Sequence, residues 1–321
     1  MTKRILITGA SGFIGSHVAR ELSSRGHQVT ALTRQLGAAD VPWTWASWDV
    51  LDQGAESFDA IVHVAAIRHR HGIAPESYLT ENTTLTKRLL EFAQRTKSGR
   101  FVLVSSIAVF GWPKQLPISD KNPYAPVGPY GVSKIGCEKK VRESGHPYAI
   151  VRPSITYGPD DTNGMIDKLF RLVAQEKYRV IGSGRTRCQL VYVKDLAYAI
   201  AEAALREGLD GAEFTCTYRD PIAMKDLSHL CADILHRKHP ALGVPLPVAR
   251  CAATAFEILE KLHVIKGEPL VTHEKLATVT VDRAYDISRM REVLGWEPQT
   301  GYREGLTATA AAMGLLSTSN K

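Results

Sequence analysis

Two groups of residues in this 321-residue chain have the types and spacing to do chemistry together. The first is Tyr130-Gly131-Val132-Ser133-Lys134. Four-residue spacing on a helix sets a phenol and an ammonium on one face. A free phenol has a pKa of about 10 and is a poor base at neutral pH. A positive charge about 4 Å away contributes about 4 kcal/mol at an effective dielectric constant of 20. That lowers a tyrosine by up to about three pH units, to where it exchanges a proton near pH 7. A Tyr–Lys pair at this spacing also occurs on ordinary surface helices. Here Ser105-Ser106 closes a strand-like run about two dozen residues upstream, which gives the pair a polar neighbour. The second group is Gly9-Ala10-Ser11-Gly12-Phe13-Ile14-Gly15, between an apolar run and a helical stretch. A tight strand-to-helix turn, close approach of backbone to a pyrophosphate, and helix–strand packing each call for a glycine. The helix that follows offers unpaired N–H groups and a positive dipole end to phosphate.

The elements that must position these groups are readable as alternating patterns. Short apolar runs predict strands over 4–8, 28–33, 60–65, 100–105 and 148–152. Helical spacing predicts helices over 15–25, 80–96 and 130–144, the second with Leu85, Leu89, Leu90 and Phe92 on one face. Strands separated by helices make βαβ units, so the fold class is α/β. The expectation is a Rossmann doubly wound parallel sheet with a smaller, mainly helical C-terminal substrate lobe. The second half is less regular. Pro123, Pro126 and Pro129 mark an irregular segment, Gly182-Ser183-Gly184 a turn, and 190–193 a strand-like run. After about 220 the pattern is mainly helical, interrupted by Pro245 and Pro247. The expected division is a dinucleotide-binding domain over 1–160 with a returning segment near 186–205. The substrate lobe then takes 161–185 and 206–321.

Composition excludes several classes. At 44% hydrophobic residues the chain has too much apolar material for a disordered one. No uncharged apolar run approaches the ~18 residues of a membrane span, so no membrane partner is expected. The formal charge of +7 arises from 40 Lys+Arg against 33 Asp+Glu. It forms no run of five like charges and no basic stripe with aromatics, so no nucleic acid is expected. The basic start Met1-Thr2-Lys3-Arg4 leads into Ile5-Leu6-Ile7 and breaks at Gly9, which reads as a strand and not as a secretory signal. Five cysteines without a C-x-x-C pair suggest reduced thiols and a cytoplasmic location. Arg68-His69-Arg70-His71 supplies two imidazoles and no third ligand, so no metal is expected. That loop reads as solvated, with a basic contact to an acidic substrate as the alternative.

The G-x-x-G-x-x-G spacing resembles that of the short-chain dehydrogenase/reductase superfamily, and Gly12-Phe13-Ile14-Gly15 is similar to its extended branch. Val104-Ser105-Ser106-Ile107-Ala108-Val109-Phe110-Gly111 resembles that family's serine motif, with Ser106 at the catalytic Ser/Thr position. The resemblance implies a catalytic set of Ser106, Tyr130 and Lys134. Ser106 would bond the substrate oxygen and Tyr130 would give or take the proton. Lys134 would tune the phenol and hold the nicotinamide ribose, while the cofactor carries the hydride. Gly9, Gly12, Phe13, Ile14 and Gly15 would cradle the cofactor phosphates. Asp49 and Val50 match the family's adenine edge, although Trp48 stands where the family usually has Gly. Ala65 and Ala66, in Ile61-Val62-His63-Val64-Ala65-Ala66, match small residues that let the cofactor approach, and Asn82 sits in the next helix as in relatives. Pro153 and Ser154, in Arg152-Pro153-Ser154-Ile155-Thr156-Tyr157-Gly158-Pro159, match the segment passing the nicotinamide. Tyr192-Val193-Lys194-Asp195-Leu196-Ala197 and Leu294-Gly295-Trp296-Glu297-Pro298 extend the likeness; Asp195 and Trp296 read as structural.

Departures from the family narrow the chemistry. The second strand ends Leu32-Thr33-Arg34, with Thr33 where NAD-using relatives carry Asp. An Arg there pairs with a ribose 2′-phosphate, so NADP is the expected cofactor, with NAD possible. Ile107-Ala108 replace the Asp-Glu of sugar-nucleotide 4,6-dehydratases. Ile155 and Cys188 stand where nucleotide-sugar epimerases usually place Asn and Arg against a diphosphate, with Arg185 and Arg187 near enough to substitute. Pro245-Leu246-Pro247, the helix through Leu259 and Pro269-Leu270-Val271-Thr272 resemble the 3β-hydroxysteroid dehydrogenase and dihydroflavonol reductase branch. The expected activity is interconversion of a secondary alcohol and a ketone of a small or medium-sized metabolite. A nucleotide-sugar 4-epimerase or 4-ketoreductase is the alternative, and a non-catalytic dinucleotide sensor the third. The resemblance also implies a homodimer through helices spanning about 80–97 and 130–144.

Overall fold

The structure, a computed structural model, describes residues 1–34, 40–68, 73–113, 115–262 and 272–316. Six strands run in chain order: β1 (Arg4–Thr8), β2 (Gln28–Thr33), β3 (Thr44–Ser47), β4 (Ala60–His63), β5 (Arg100–Val104) and β6 (Tyr148–Pro153). They join the strand Ala212–Cys216 in a seven-stranded sheet of order β3-β2-β1-β4-β5-β6 and then 212–216. Every pairing is parallel. Side-chain alternation sends each strand's apolar residues to both faces, as a sheet covered on two sides requires. Ile5, Ile7, Val62, Val102 and Val151 meet one core with Val18 and Leu22 of α1 (Phe13–Ser24) and Leu196 and Ile200 of the helix Val193–Leu205. Leu6, Ile61, Phe101, Leu103 and Ile150 meet the other. That side is covered by Leu89 and Phe92 of α3 (Pro75–Arg95) and Val141 of α4 (Pro129–Glu143); the short α2 (Val50–Gln53) adds Leu51. The result is the doubly wound Rossmann arrangement.

The chain forms two compact units. One comprises Met1–Thr156, Val191–Arg219 and Tyr285–Gln299; the other Tyr157–Leu190, Asp220–Ala284 and Thr300–Lys321. This departs from the division read from sequence, which gave all of 206–321 to the substrate lobe. The strand Ala212–Cys216 pairs with β6, from Ala212 beside Ala149 to Cys216 beside Pro153, and so belongs to the sheet. The helix Ser288–Leu294 packs Met290 and Leu294 into the same core. Glu213 and Thr215 interrupt any apolar run in 212–216, and so this strand has no sequence signal of its own. The second unit is mainly helical, with Met165–Ala174, Met224–Ile234, Leu246–Lys261, His273–Thr280 and Tyr302–Ala312. Short strands pair Arg187–Cys188 with Ile222–Ala223. Cys137, Cys188, Cys216 and Cys231 are buried and Cys251 is exposed, all as free thiols. Among the described residues no helix is long and apolar enough to cross a membrane.

Candidate active site

The first part of the site is built where β1 turns into α1. Gly9 adopts a φ of +81°, a conformation that favours glycine. A β-carbon on Gly9 would lie 2.8 Å from the Ala65 nitrogen, and one on Gly15 would lie 2.1 Å from the Gly9 carbonyl oxygen. Gly12 N–H donates to that same carbonyl at 2.9 Å, closing the turn. Gly12 caps α1 without any side-chain hydrogen bond, and the first turn holds no acidic residue. A phosphate at this helix end meets positive dipole and no competing carboxylate. Half-buried Phe13 and Ile14 begin the helix. Glycine at positions 9 and 15 lets the turn close this tightly against Ala65 and on itself, and the helix end it opens onto offers N–H groups that fit the pyrophosphate of a dinucleotide.

The flanking strand ends carry the remaining candidate cofactor residues. Arg34 is exposed immediately after β2, and the last residue of that strand is Thr33. Asp49 is exposed between β3 and Val50, which begins α2, and accepts a hydrogen bond from Ser47 Oγ at 2.9 Å. Half-buried Ala65 and Ala66 follow β4. Ala65 N–H donates to Thr8 Oγ1 at 3.1 Å. Thr8 Oγ1 also pairs with His63 Nδ1 at 2.9 Å, and His63 Nε2 pairs with Thr86 Oγ1 at 3.1 Å. Burial, with the nearby Lys134 charge, pushes His63 down to about 3, so the ring is neutral and bridges β1, β4 and α3. Asn82 accepts from Ile67 N–H at 2.8 Å and donates to Ser133 Oγ at 2.9 Å, tying the loop after β4 to α4. Arg68 is exposed; His69, Arg70 and His71 lie outside the described residues.

The second part is built where α4 meets the end of β5. Pro129 opens α4, where its fixed φ suits a first helical residue. Lys134 is buried, with Nζ 5.9 Å from the centroid of the Tyr130 ring. The same ammonium donates to the Val104 carbonyl at 2.8 Å. Two residues beyond Val104, Ser106 caps the short turn Ile107–Val109, its Oγ accepting from Ala108 N–H at 3.2 Å. Gly131 seats the helix against this turn, since a β-carbon there would come within 2.6 Å of the Ala108 carbonyl oxygen. Segments 106–108 and 130–131 therefore lie side by side. Pro153 and Ser154 are buried at the end of β6, and Ser154 Oγ donates to Thr217 Oγ1 at 2.7 Å.

One feature of the site escaped the sequence reading. Tyr130, Lys134, Glu138 and Arg142 recur every four residues on α4. Glu138 is fully buried and Arg152 nearly so. Glu138 Oε1 accepts from Ser105 Oγ at 2.6 Å and from Arg152 Nε at 2.9 Å. Its Oε2 accepts from Arg152 Nη2 at 2.8 Å, from Arg142 Nη2 at 2.7 Å and from the Tyr124 hydroxyl. Arg152 also donates to Asp120 at 3.0 Å and to Glu213. Burial opposes charge on Glu138, but the hydrogen bonds and charge of Arg152, with Ser105 and Tyr124, hold its carboxyl below the ordinary range. The four-residue repeat was the available signal.

Other candidates have structural surroundings. Cys188 is buried, its thiol directed at Met224 Sδ at 3.7 Å, and burial pushes it up to about 12. Arg187 is exposed and faces Asp282 at 3.8 Å. Trp296 packs on Tyr198, ring centroids 4.6 Å apart, and Asp195 is buried in the first turn of the helix Val193–Leu205. Among the described residues no three His, Cys, Asp or Glu side chains group to hold a metal ion.

Comparison with known proteins places this geometry. Residues 5–215 match the model of the NAD dependent epimerase/dehydratase family. The chain is 26% identical to an N-acetyl-α-D-glucosaminyl-diphospho-ditrans,octacis-undecaprenol 4-epimerase of Escherichia coli O157:H7, over 82% of this chain and 81% of that one. It is 27% identical to a 3 beta-hydroxysteroid dehydrogenase/Delta 5-->4-isomerase of Mycobacterium tuberculosis (strain CDC 1551 / Oshkosh), over 95% and 88%. The fold is shared with MoeE5, solved in complex with UDP-glucose and NAD, at a TM-score of 0.76 and 21% identity over 97% of this chain and 98% of that one. The glycine cradle, the parallel sheet and the family match together show that this chain belongs to the NAD-dependent epimerase/dehydratase family, within the extended short-chain dehydrogenase/reductases.

Proposed function

We propose that this protein is an NADP-dependent oxidoreductase that interconverts a secondary alcohol and a ketone. The observation that carries this reading over an epimerase is Cys188. Its side chain is buried against Met224, so position 188 supplies no guanidinium where nucleotide-sugar epimerases usually place an Arg against the diphosphate, and the neighbouring Arg187 is exposed and faces Asp282. Bonds to charged groups contribute about 1.5–3 kcal/mol each, so the loss weakens diphosphate binding considerably. Gly9, Gly12, Phe13, Ile14 and Gly15 would hold the pyrophosphate, Arg34 the 2′-phosphate, and Asp49 with Val50 the adenine edge. Ala65, Ala66, Pro153 and Ser154 would border the nicotinamide. When bound, the cofactor supplies or accepts the hydride at the substrate carbon. Ser106 would donate a hydrogen bond to the substrate oxygen, Tyr130 would give or take its proton, and Lys134, its ammonium beside the Tyr130 ring, would hold the ribose.

The test is NADPH oxidation across a panel of ketones, with wild type beside Tyr130→Phe. Turnover by wild type and its loss in the variant, with NADPH binding kept, is the expected result. Full activity in Tyr130→Phe contradicts the mechanism.

The match to the E. coli 4-epimerase favours a second reading, a nucleotide-sugar 4-epimerase or 4-ketoreductase using the same Ser106, Tyr130 and Lys134. It requires affinity for a UDP- or dTDP-sugar despite Ile155 and Cys188. We also propose a homodimer through α3 and α4. Leu79 and Val132 are large exposed apolar side chains. A β-carbon on Gly136 would lie 3.0 Å from Leu79 Cδ1, which puts Gly136, one turn beyond Val132, beside Leu79.

A further inference from the structure

We propose that Glu138 is a positioning residue: its buried carboxylate registers α4, which carries Tyr130 and Lys134, against the ends of β5 and β6. The inference rests on the reading of Tyr130 and Lys134 as the proton-handling pair. Three segments with functional residues converge on this one side chain. Ser105, bonded to Oε1 at 2.6 Å, directly precedes Ser106. Arg152, bonded through Nε and Nη2 at 2.9 and 2.8 Å, directly precedes Pro153 and Ser154. Glu138 itself lies one helical turn beyond Lys134. The links to β5 come as two adjacent rungs: Lys134 Nζ to the Val104 carbonyl at 2.8 Å, and Glu138 to Ser105 on the next residue. Removing the second rung frees α4 to shift along β5 and carries the Tyr130 ring with it, while Lys134 Nζ stays bonded to the Val104 carbonyl, so the ammonium loses its place against the ring.

The charges around Glu138 come from every element packed on it. Arg142 and Lys134 share its helix, Arg152 lies on β6, Glu213 on the neighbouring strand, and Asp120 and Tyr124 on the segment before α4. The ion cluster holds three carboxylates, Asp120, Glu138 and Glu213, against two guanidiniums, Arg142 and Arg152. Glu138→Gln leaves two against two and keeps the shape, so the variant retains a balanced cluster. Ser105→Ala removes only the link to β5 and leaves Glu138 its arginine partners.

The experiment is a tyrosinate absorbance titration of the full chain, which contains 11 tyrosines. Subtracting the matching Tyr130→Phe protein isolates the Tyr130 midpoint in wild type, Glu138→Gln and Ser105→Ala. The expected result is a wild-type midpoint below the ordinary value of about 10 and a rise of about one pH unit or more in Glu138→Gln. A smaller rise is expected in Ser105→Ala. The sign is diagnostic: deleting an anion without moving the helix lowers a tyrosine midpoint, because the phenolate loses a repelling charge. A role confined to stability would lower the melting temperature and leave the midpoint in place. If Glu138→Gln does not fold, Ser105→Ala decides alone. A wild-type midpoint that is low and unmoved or lowered in the folded variants overturns the positioning role only. A wild-type Tyr130 without a lowered midpoint overturns both this role and the proposed mechanism.

Discussion

Gly131 approaches Ala108 so closely that a β-carbon on it would lie 2.6 Å from the Ala108 carbonyl oxygen. This contact seats the start of α4 against the turn that follows Ser106, so Tyr130 and Ser106 keep a fixed relation. Gly131→Val drives the two segments apart. Overpacking of this kind costs about 1–3 kcal/mol, and a loss of similar size from transition-state alignment is roughly ten- to hundredfold in rate. Steady-state kinetics is expected to show that loss in kcat, and an unchanged kcat in Gly131→Val would contradict the seating of α4 against this turn.

The proposed preference for NADP rests on Arg34 and Thr33. Arg34 is exposed past β2, and no carboxylate occupies either position. Arg34→Ala is expected to weaken NADPH binding by about 10- to 150-fold, the equivalent of one bond to a charged group. NADH binding should hardly change. Fluorescence titration with both nucleotides checks this, and equal effects on the two would contradict the assignment.

His63 makes stability depend on pH. Burial, then the Lys134 charge, places its folded pKa at about 3, against about 6.5 in an unfolded chain. Between these values the unfolded chain holds a proton that the fold does not. The His63 contribution is therefore complete above about pH 6.5 and declines as the pH falls toward 3. Glu138 and Glu213, whose carboxyls are held low, add their own loss only below about pH 4.3. Melting temperatures between about pH 6.5 and 5.5 should fall less steeply in His63→Asn than in wild type. His27, also lowered by burial and by neighbouring cations, leaves a residual slope. Identical slopes in the two proteins would count against a neutral, buried His63.

Leu79 and Val132 test the proposed dimer. They are 41% and 44% exposed on neighbouring helices, an arrangement that a second α3–α4 pair would cover. A Leu79→Lys/Val132→Lys protein should elute as a monomer in sedimentation or light scattering where wild type is a dimer. A wild type that is already monomeric ends this proposal.

What was legible in the sequence was local. Gly9, Gly12 and Gly15 are three residues apart, and Tyr130 and Lys134 four apart, so spacing alone placed each set on one turn or one helix face. Apolar runs gave β1, β2, β4, β5 and β6 because strands buried on both faces carry little else. The edge of the sheet did not announce itself. Thr44–Ser47 is short and Ala212–Cys216 carries Glu213 and Thr215, whose polar groups are satisfied by partners far away in the chain. Glu213 meets Arg142, and Thr215 meets Asp120. The Glu138–Arg152 cluster was hidden for the same reason: it gathers Ser105, Asp120, Tyr124 and Glu213 from separate elements, and no spacing rule reaches across a fold.

Exchange of NADP as a cosubstrate is tested most directly by denaturing freshly purified protein and identifying any released nucleotide by mass spectrometry. An oxidoreductase of the proposed kind is expected to release NADP(H), or nothing, and the empty protein should then bind NADPH far more tightly than NADH. An epimerase needs its cofactor back after each cycle. Tightly held NAD in a stoichiometric amount would contradict the assignment of Arg34 and turn the account toward a sugar-nucleotide epimerase.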